Sequence, residues 1–153
     1  MSEPTILERI QSDMTAAMKA KDVDRLSTLR MLKSALMEAK TKKARDQTLG
    51  ADEEIEVLQR YVKKRREAIE EFTRLGRTEV VAREQAEIVV TQRYLPQPIG
   101  EDELRAIVRA AVASTGAAGP KEMGKVIGVV MPQVKGRAEG AVVSRLVKEA
   151  LGG

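Results

Sequence analysis

The sequence predicts an all-α, multihelical fold in two subdomains, and three observations carry that reading. Apolar residues recur at three- and four-residue spacing in segment after segment, while the sustained alternation of a half-buried strand is absent. The aromatic content is Tyr61, Phe72 and Tyr94 alone, so the core must be aliphatic. Pro96-Gln97-Pro98 is the clearest breaker in the chain. It separates an N-terminal domain of about four helices, residues 1–95, from a compact three-helix C-terminal domain, residues 96–153.

Each element has its own justification. Ile6, Leu7, Ile10, Met14 and Met18 share helical spacing over Thr5–Lys19, with Pro4 suited to the first turn. Asp22 and Asp24 open a second helix to about Ala44, striped by Leu26, Leu29, Leu32, Leu36 and Ala39. Asp52, Glu53 and Glu54 suit the positive end of a third. It carries Ile55, Val62 and Ile69 seven apart, Leu58 and Phe72 beside them, and Gly76 as its C-terminal cap. Thr78 starts a fourth through Val81, Ile88, Val89 and Leu95. Beyond the breaker, acids at 101–103 open a helix with Leu104, Ile107, Val108, Ala111 and Val112 on its buried face. Pro120 begins another that runs to about Met131. The last starts near Glu139 and carries Val142, Val143, Leu146, Val147 and Ala150.

Composition narrows the function classes. The chain has no cysteine, which excludes disulfides and thiolate metal sites and fits a reducing compartment. No apolar run reaches membrane-span length, and Met1-Ser2-Glu3-Pro4 does not begin a signal peptide. A soluble cytoplasmic protein is expected, with no cofactor, no metal and no membrane partner. Histidine is absent as well, so the commonest general base and the thiol nucleophile are both missing. None of the serines sits in a nucleophile elbow, and no phosphate-binding G-x-x-x-x-G-K-[ST] loop exists. No catalytic residue is assigned, and a self-contained catalyst is not expected.

Charge points weakly to polyanions. The net +4 divides evenly: residues 1–98 hold 19 Lys/Arg against 17 Asp/Glu, and residues 99–153 hold 8 against 6. Local arrangement matters more than the total. In MGKVIGVVMPQVKGRAEG (residues 123–140), Gly124 and Gly128 are four apart on one helical face. Glycine inside a helix costs roughly 1 kcal/mol relative to alanine, so the pair needs a reason. Close crossing by a neighbouring helix is the favoured reading; close approach of a phosphodiester backbone is the functional one. Lys121 and Lys125 accompany them, and Lys135-Gly136-Arg137 follows Pro132 with few acids nearby. A second basic patch is expected at Lys33, Lys40, Lys42, Lys43 and Arg45, where the cations also complement a helix C-terminus. The run at 63–66 reads as a solvated face, with Lys63–Glu67 and Arg66–Glu70 at i,i+4 spacing.

The same residues carry a family resemblance. Met123-Gly124-Lys125-Val126, Gly128, Val130-Met131, Lys135 to Ala138, Val143 and Leu146 to Glu149 resemble the signature of the YqeY family. They are similar also to the tail domain of the GatB subunit of Asp/Glu-tRNA amidotransferase. The likeness extends through Arg25 to Leu36, Arg65 to Phe72, Gly76-Arg77 and Tyr94-Leu95-Pro96, with Glu139 standing where the family usually has aspartate. The resemblance implies an all-helical fold and an accessory that binds tRNA, or the tRNA-amidotransferase and aminoacyl-tRNA synthetase machinery, with no DNA role. Its activity class is carbon–nitrogen ligation with glutamine as amide donor, for which this chain lacks the nucleophile and the ATP loop. It further implies phosphate contacts by Lys121, Lys125, Lys135 and Arg137, with Gly136 permitting close approach. With no aromatic after Tyr94, base stacking is excluded there. The alternative is a helical adaptor that binds protein and never RNA. Seven methionines suit such docking, though Met14, Met18, Met31 and Met37 fall at core-like positions.

Overall fold

Thr5 and Glu8 fix where the first helix begins. Thr5 Oγ1 accepts from the Glu8 amide, and Glu8 Oε1 from the Thr5 amide, each at 3.1 Å, a reciprocal capping box. Pro4 therefore lies ahead of the cap rather than in the first turn. The computed structural model describes residues 3–152; Met1-Ser2, the start of the leader reading, lie outside them. Among the described residues there is no strand, and the fold is all-α. The helices are α1 (Ile6–Lys19), α2 (Val23–Thr41), α3 (Ala51–Arg74), α4 (Thr78–Gln92), α5 (Glu101–Thr115), α6 (Met123–Val134) and α7 (Gly140–Ala150). A single 3-10 turn, Pro120–Glu122, precedes α6.

Helix ends follow local chemistry. After α3, Gly76 (φ +69°) lets Arg77 N donate to Phe72 O at 2.9 Å and its own N to Thr73 O at 3.1 Å. That is a Schellman motif. The same motif ends α1, with Lys21 in the left-handed position at φ +58° and Asp22 N donating to Ala17 O. Asp22 then caps α2, its Oδ1 accepting from the Arg25 amide at 3.2 Å. One residue closes one helix and opens the next. Helix α6 departs from expectation by running three residues past Met131, with Pro132 inside it. Pro132 has no N–H to donate to Gly128 O and its ring crowds that carbonyl, and the helix ends two residues later at Val134.

The chain divides into two units between Leu95 and Pro96. In the N-terminal unit, Ile10, Leu29, Leu32, Leu36 and Leu58 are fully buried, with Ile6, Ala17, Tyr61 and Tyr94 around them. Val89, expected inside, is exposed, and so are Met18, Met31 and Met37; Met14 is half-buried. The expected placement of those three methionines in the core fails; on α2, Leu29, Leu32 and Leu36 take the inward face and leave Met31 and Met37 outside it. The C-terminal unit packs α5, α6 and α7 around Leu104, Val108, Val126, Val130, Val134, Val143, Leu146 and Val147. All of these are aliphatic.

Candidate nucleic-acid interface

The motif turn is built from its glycine. Lys135 has φ −54° and ψ 126°, Gly136 has φ +83°, and Arg137 N donates to Val134 O at 2.8 Å. These are the angles and the hydrogen bond of a type II turn, whose third residue must tolerate positive φ. Gly136 is buried. Its role in the turn is thus conformational. Arg137 is partly exposed and braces the turn. Its Nε donates to Gln97 O at 3.2 Å, its carbonyl accepts from Ile99 N at 2.8 Å, and Glu103 lies 4.0 Å from its guanidinium. It ties the turn to the strand-like entry of its own unit. Lys135 is exposed.

The surface of α6 differs from what packing arguments suggested. Gly124 and Gly128 are both exposed, and a Cβ built on either would meet no atom within 4 Å. No helix of the C-terminal unit crosses there, so the close-crossing explanation of the pair is overturned. Val126, Val130 and Val134 take the buried side of α6 instead. Lys121 and Lys125 are exposed and have no ion-pair partner among the described residues. Four of the unit's acids are committed elsewhere. Glu101 and Glu149 bridge Arg105 and Arg145 at 3.0–3.3 Å, Glu103 faces Arg137, and Glu122 accepts from the Ala118 amide. The Arg145 guanidinium, followed by Arg105, holds the Glu101 carboxyl below its usual range. One face of the bundle is electrostatically closed, and the α6 face carries uncompensated charge over bare backbone.

The second basic patch does not form as a unit. Lys42 sits 3.9 Å from Glu38. Lys43 is half-buried and donates to Glu53 and to Thr48 O, closing the loop between α2 and α3. That hydrogen bond, with one from the Gly50 amide, lowers the Glu53 pKa. Lys33 is half-buried, whereas Lys40 and Arg45 are exposed. In the run at 63–66, Lys63, Lys64 and Arg66 are exposed as the solvated-face reading expects, and Arg65 is the exception. Lys63 and Glu67 form no ion pair, and Arg65 turns inward over the Tyr61 ring at 4.6 Å and beside Glu84 at 3.2 Å.

A family model described as Yqey-like protein matches residues 7–151. This chain belongs to the YqeY family. A protein of Pyrenophora tritici-repentis named "Altered inheritance of mitochondria protein 41, mitochondrial" is 32% identical over 156 residues, spanning 98% of this chain and 83% of its own length. An uncharacterised protein of Schizosaccharomyces pombe is 29% identical over 94 residues, spanning 61% of this chain and 75% of its own. Among the described residues, no helix is long and apolar enough to cross a membrane.

Two polar constellations of this YqeY-family chain escaped the sequence reading. Glu54, expected only as a first-turn acid, is 3% exposed and accepts from the Ile6 and Leu7 amides at 3.2 and 2.9 Å. It caps α1 from 48 residues away, a partnership no local pattern reveals. Tyr94 is buried and donates to Asp13 Oδ2; Arg25 lies 4.0 Å from that carboxylate and Arg9 stacks 5.1 Å above the ring. Burial, then the Asp13 carboxylate, pushes the Tyr94 phenol up to about 12. Asp13 thereby joins Arg25 and Tyr94, which stand in two separate blocks of the family signature.

Proposed function

We propose that this chain is a tRNA-binding accessory related to the glutamine-dependent tRNA amidotransferases, with residues 96–153 as its tail-like RNA contact. The observation that carries this reading is the α6 face. Lys121 and Lys125 stand there without carboxylate partners, beside two glycines that nothing covers. Phosphates need cations free to release counterions, and a bare helical backbone lets a nucleic-acid strand come close. Lys135 extends the positive surface at the turn, while Arg137 supports the turn rather than the ligand. Recognition would read backbone and shape, since the unit holds no aromatic side chain to stack a base. The role is binding rather than carbon–nitrogen ligation, because the chain has neither histidine nor cysteine to serve as base or thiol.

The test is a salt titration of tRNA binding by the full chain, beside a Lys121→Ala/Lys125→Ala variant and an Arg105→Ala/Arg145→Ala control of equal charge. Affinity should fall steeply with salt. The slope of log K against log salt should drop by about 1.5 in the lysine variant, as two lost phosphate contacts require, and less in the control. Absence of binding at low salt would remove the RNA reading. The compartment we assign is the cytoplasm. A fungal relative bears a mitochondrial name, and imaging a tagged chain in its own cells decides between the two.

A further inference from the structure

The N-terminal unit leaves a groove open between α2 and α3, with a volume of about 420 Å³. On α3 it is lined from Glu53 to Lys64 along one i, i+3, i+4 row, a run of about three turns or roughly 16 Å. Its floor is apolar: Ala35 and Ala39 from α2, whose short side chains leave room, face Val57 and the Tyr61 ring. A trough of that length suits a stretch of chain better than a compact small molecule.

The charges of the rim say what kind of chain. Glu38 and Glu53 are compensated by Lys42 and Lys43, and Glu56 is not without a partner. Arg60 and Lys64, four residues apart on α3, are exposed and have no partner among the described residues. We propose that this groove is a docking site for an acidic, amphipathic helical segment of a partner protein. Apolar anchors at three- and four-residue spacing would fill the Ala35/Ala39/Val57/Tyr61 floor, and carboxylates on the segment would meet Arg60 and Lys64. A nucleic-acid strand fits less well, because a sugar–phosphate backbone offers no apolar anchors for that floor. The site lies in the other unit from the α6 face and stands independently of the RNA reading.

The test pans the full chain against a display library of random ~14-residue peptides, about four helical turns. Recovered peptides are then synthesised and titrated. The expected result is enrichment of Asp/Glu together with Leu or Ile at helical spacing. Affinity should fall about tenfold in Arg60→Glu/Lys64→Glu, as two surface ion pairs allow. Both positions are exposed, so folding is not at stake. Ala39→Leu, which fills the floor, should weaken the same peptides, and Lys121→Ala/Lys125→Ala should leave them unchanged. Three results would overturn the proposal: no recovered peptide, peptides without acidic bias, or acidic peptides bound equally well by the charge-reversed variant. Displacement of the peptide by tRNA would instead make the groove part of an RNA surface, and equally overturn it.

Discussion

The two units of this chain solve the same packing problem with different chemistry. Among the described residues of the C-terminal unit every buried side chain is aliphatic, and its charge pairs lie at the surface. In the N-terminal unit Thr28, Glu54 and Thr91 are buried together with two tyrosines, and long-range polar contacts hold the helix ends. The difference reflects geometry. Three short helices close around a valine- and leucine-filled centre, whereas α3, the longest helix, reaches the start of α1 and must satisfy backbone amides there. Apolar burial is tolerant of side-chain detail, while a buried carboxylate is tolerant of almost nothing. The C-terminal unit should thus be sensitive to lost volume, and the N-terminal unit to single polar atoms and to pH.

The largest effect expected from that contrast is Leu146→Ala. Leu146 is 2% exposed in the C-terminal core, and its truncation should cost about 2–5 kcal/mol. In hydrogen exchange, protection should collapse across α5–α7; loss spread evenly over both units would break the comparison. Glu54→Ala comes next. Removing the carboxylate strands two buried amides at the start of α1, at about 1–3 kcal/mol. The amides of Ile6 and Leu7 should exchange first, and α7 should be untouched.

How far these features could be read from sequence depends on the range of the interaction. The all-α class and most helix starts rest on contacts within four residues, so Asp22, Gly76 and the acids at 101–103 were legible. So was family membership, carried by the spaced residues of α6 and α7. Glu54 was visible only as a local first-turn acid, because its partners lie at residues 6 and 7. The inward turn of Arg65 was masked by its neighbours, since Lys63–Glu67 and Arg66–Glu70 invite a solvated-face reading while its ion partner Glu84 lies on α4. At the candidate interface, Lys121 and Lys125 were legible as charges but not as unpaired ones. Gly136 and Gly128 look alike in sequence, yet one is buried to make a turn and the other lies bare. Only the fold separates them.

A pH experiment sharpens the comparison further. Both tyrosines belong to the N-terminal unit, and their phenol pKa values are raised, mainly by burial and then by Glu87 and Asp13. A raised folded pKa means that the contribution to stability is complete below the unfolded value near 10. It is lost as pH climbs through the folded value, about 12 for Tyr94. Between pH 10 and 12 the N-terminal unit should therefore lose exchange protection ahead of α5–α7. Tyr61→Phe/Tyr94→Phe should erase that extra alkaline sensitivity while leaving the tyrosine-free unit unchanged. Simultaneous loss in both units, in wild type and variant alike, would tell against it.

The smallest effect belongs to the surface network of the C-terminal unit. Arg145 donates to Glu101 at 3.0 Å and Glu149 at 3.3 Å, but all three side chains are about half exposed. Glu101 has a lowered pKa, so what it contributes is present above the unfolded value near 4.5 and is lost as pH falls through the folded one. Arg145→Ala should shift the thermal midpoint slightly at neutral pH and low salt, less at high salt, and least in acid once Glu101 is protonated. A large shift that ignores salt would mean that the network carries the packing of α5 on α7. The aliphatic centre would then no longer account for the unit, and the contrast with the N-terminal half would fail at its simpler end.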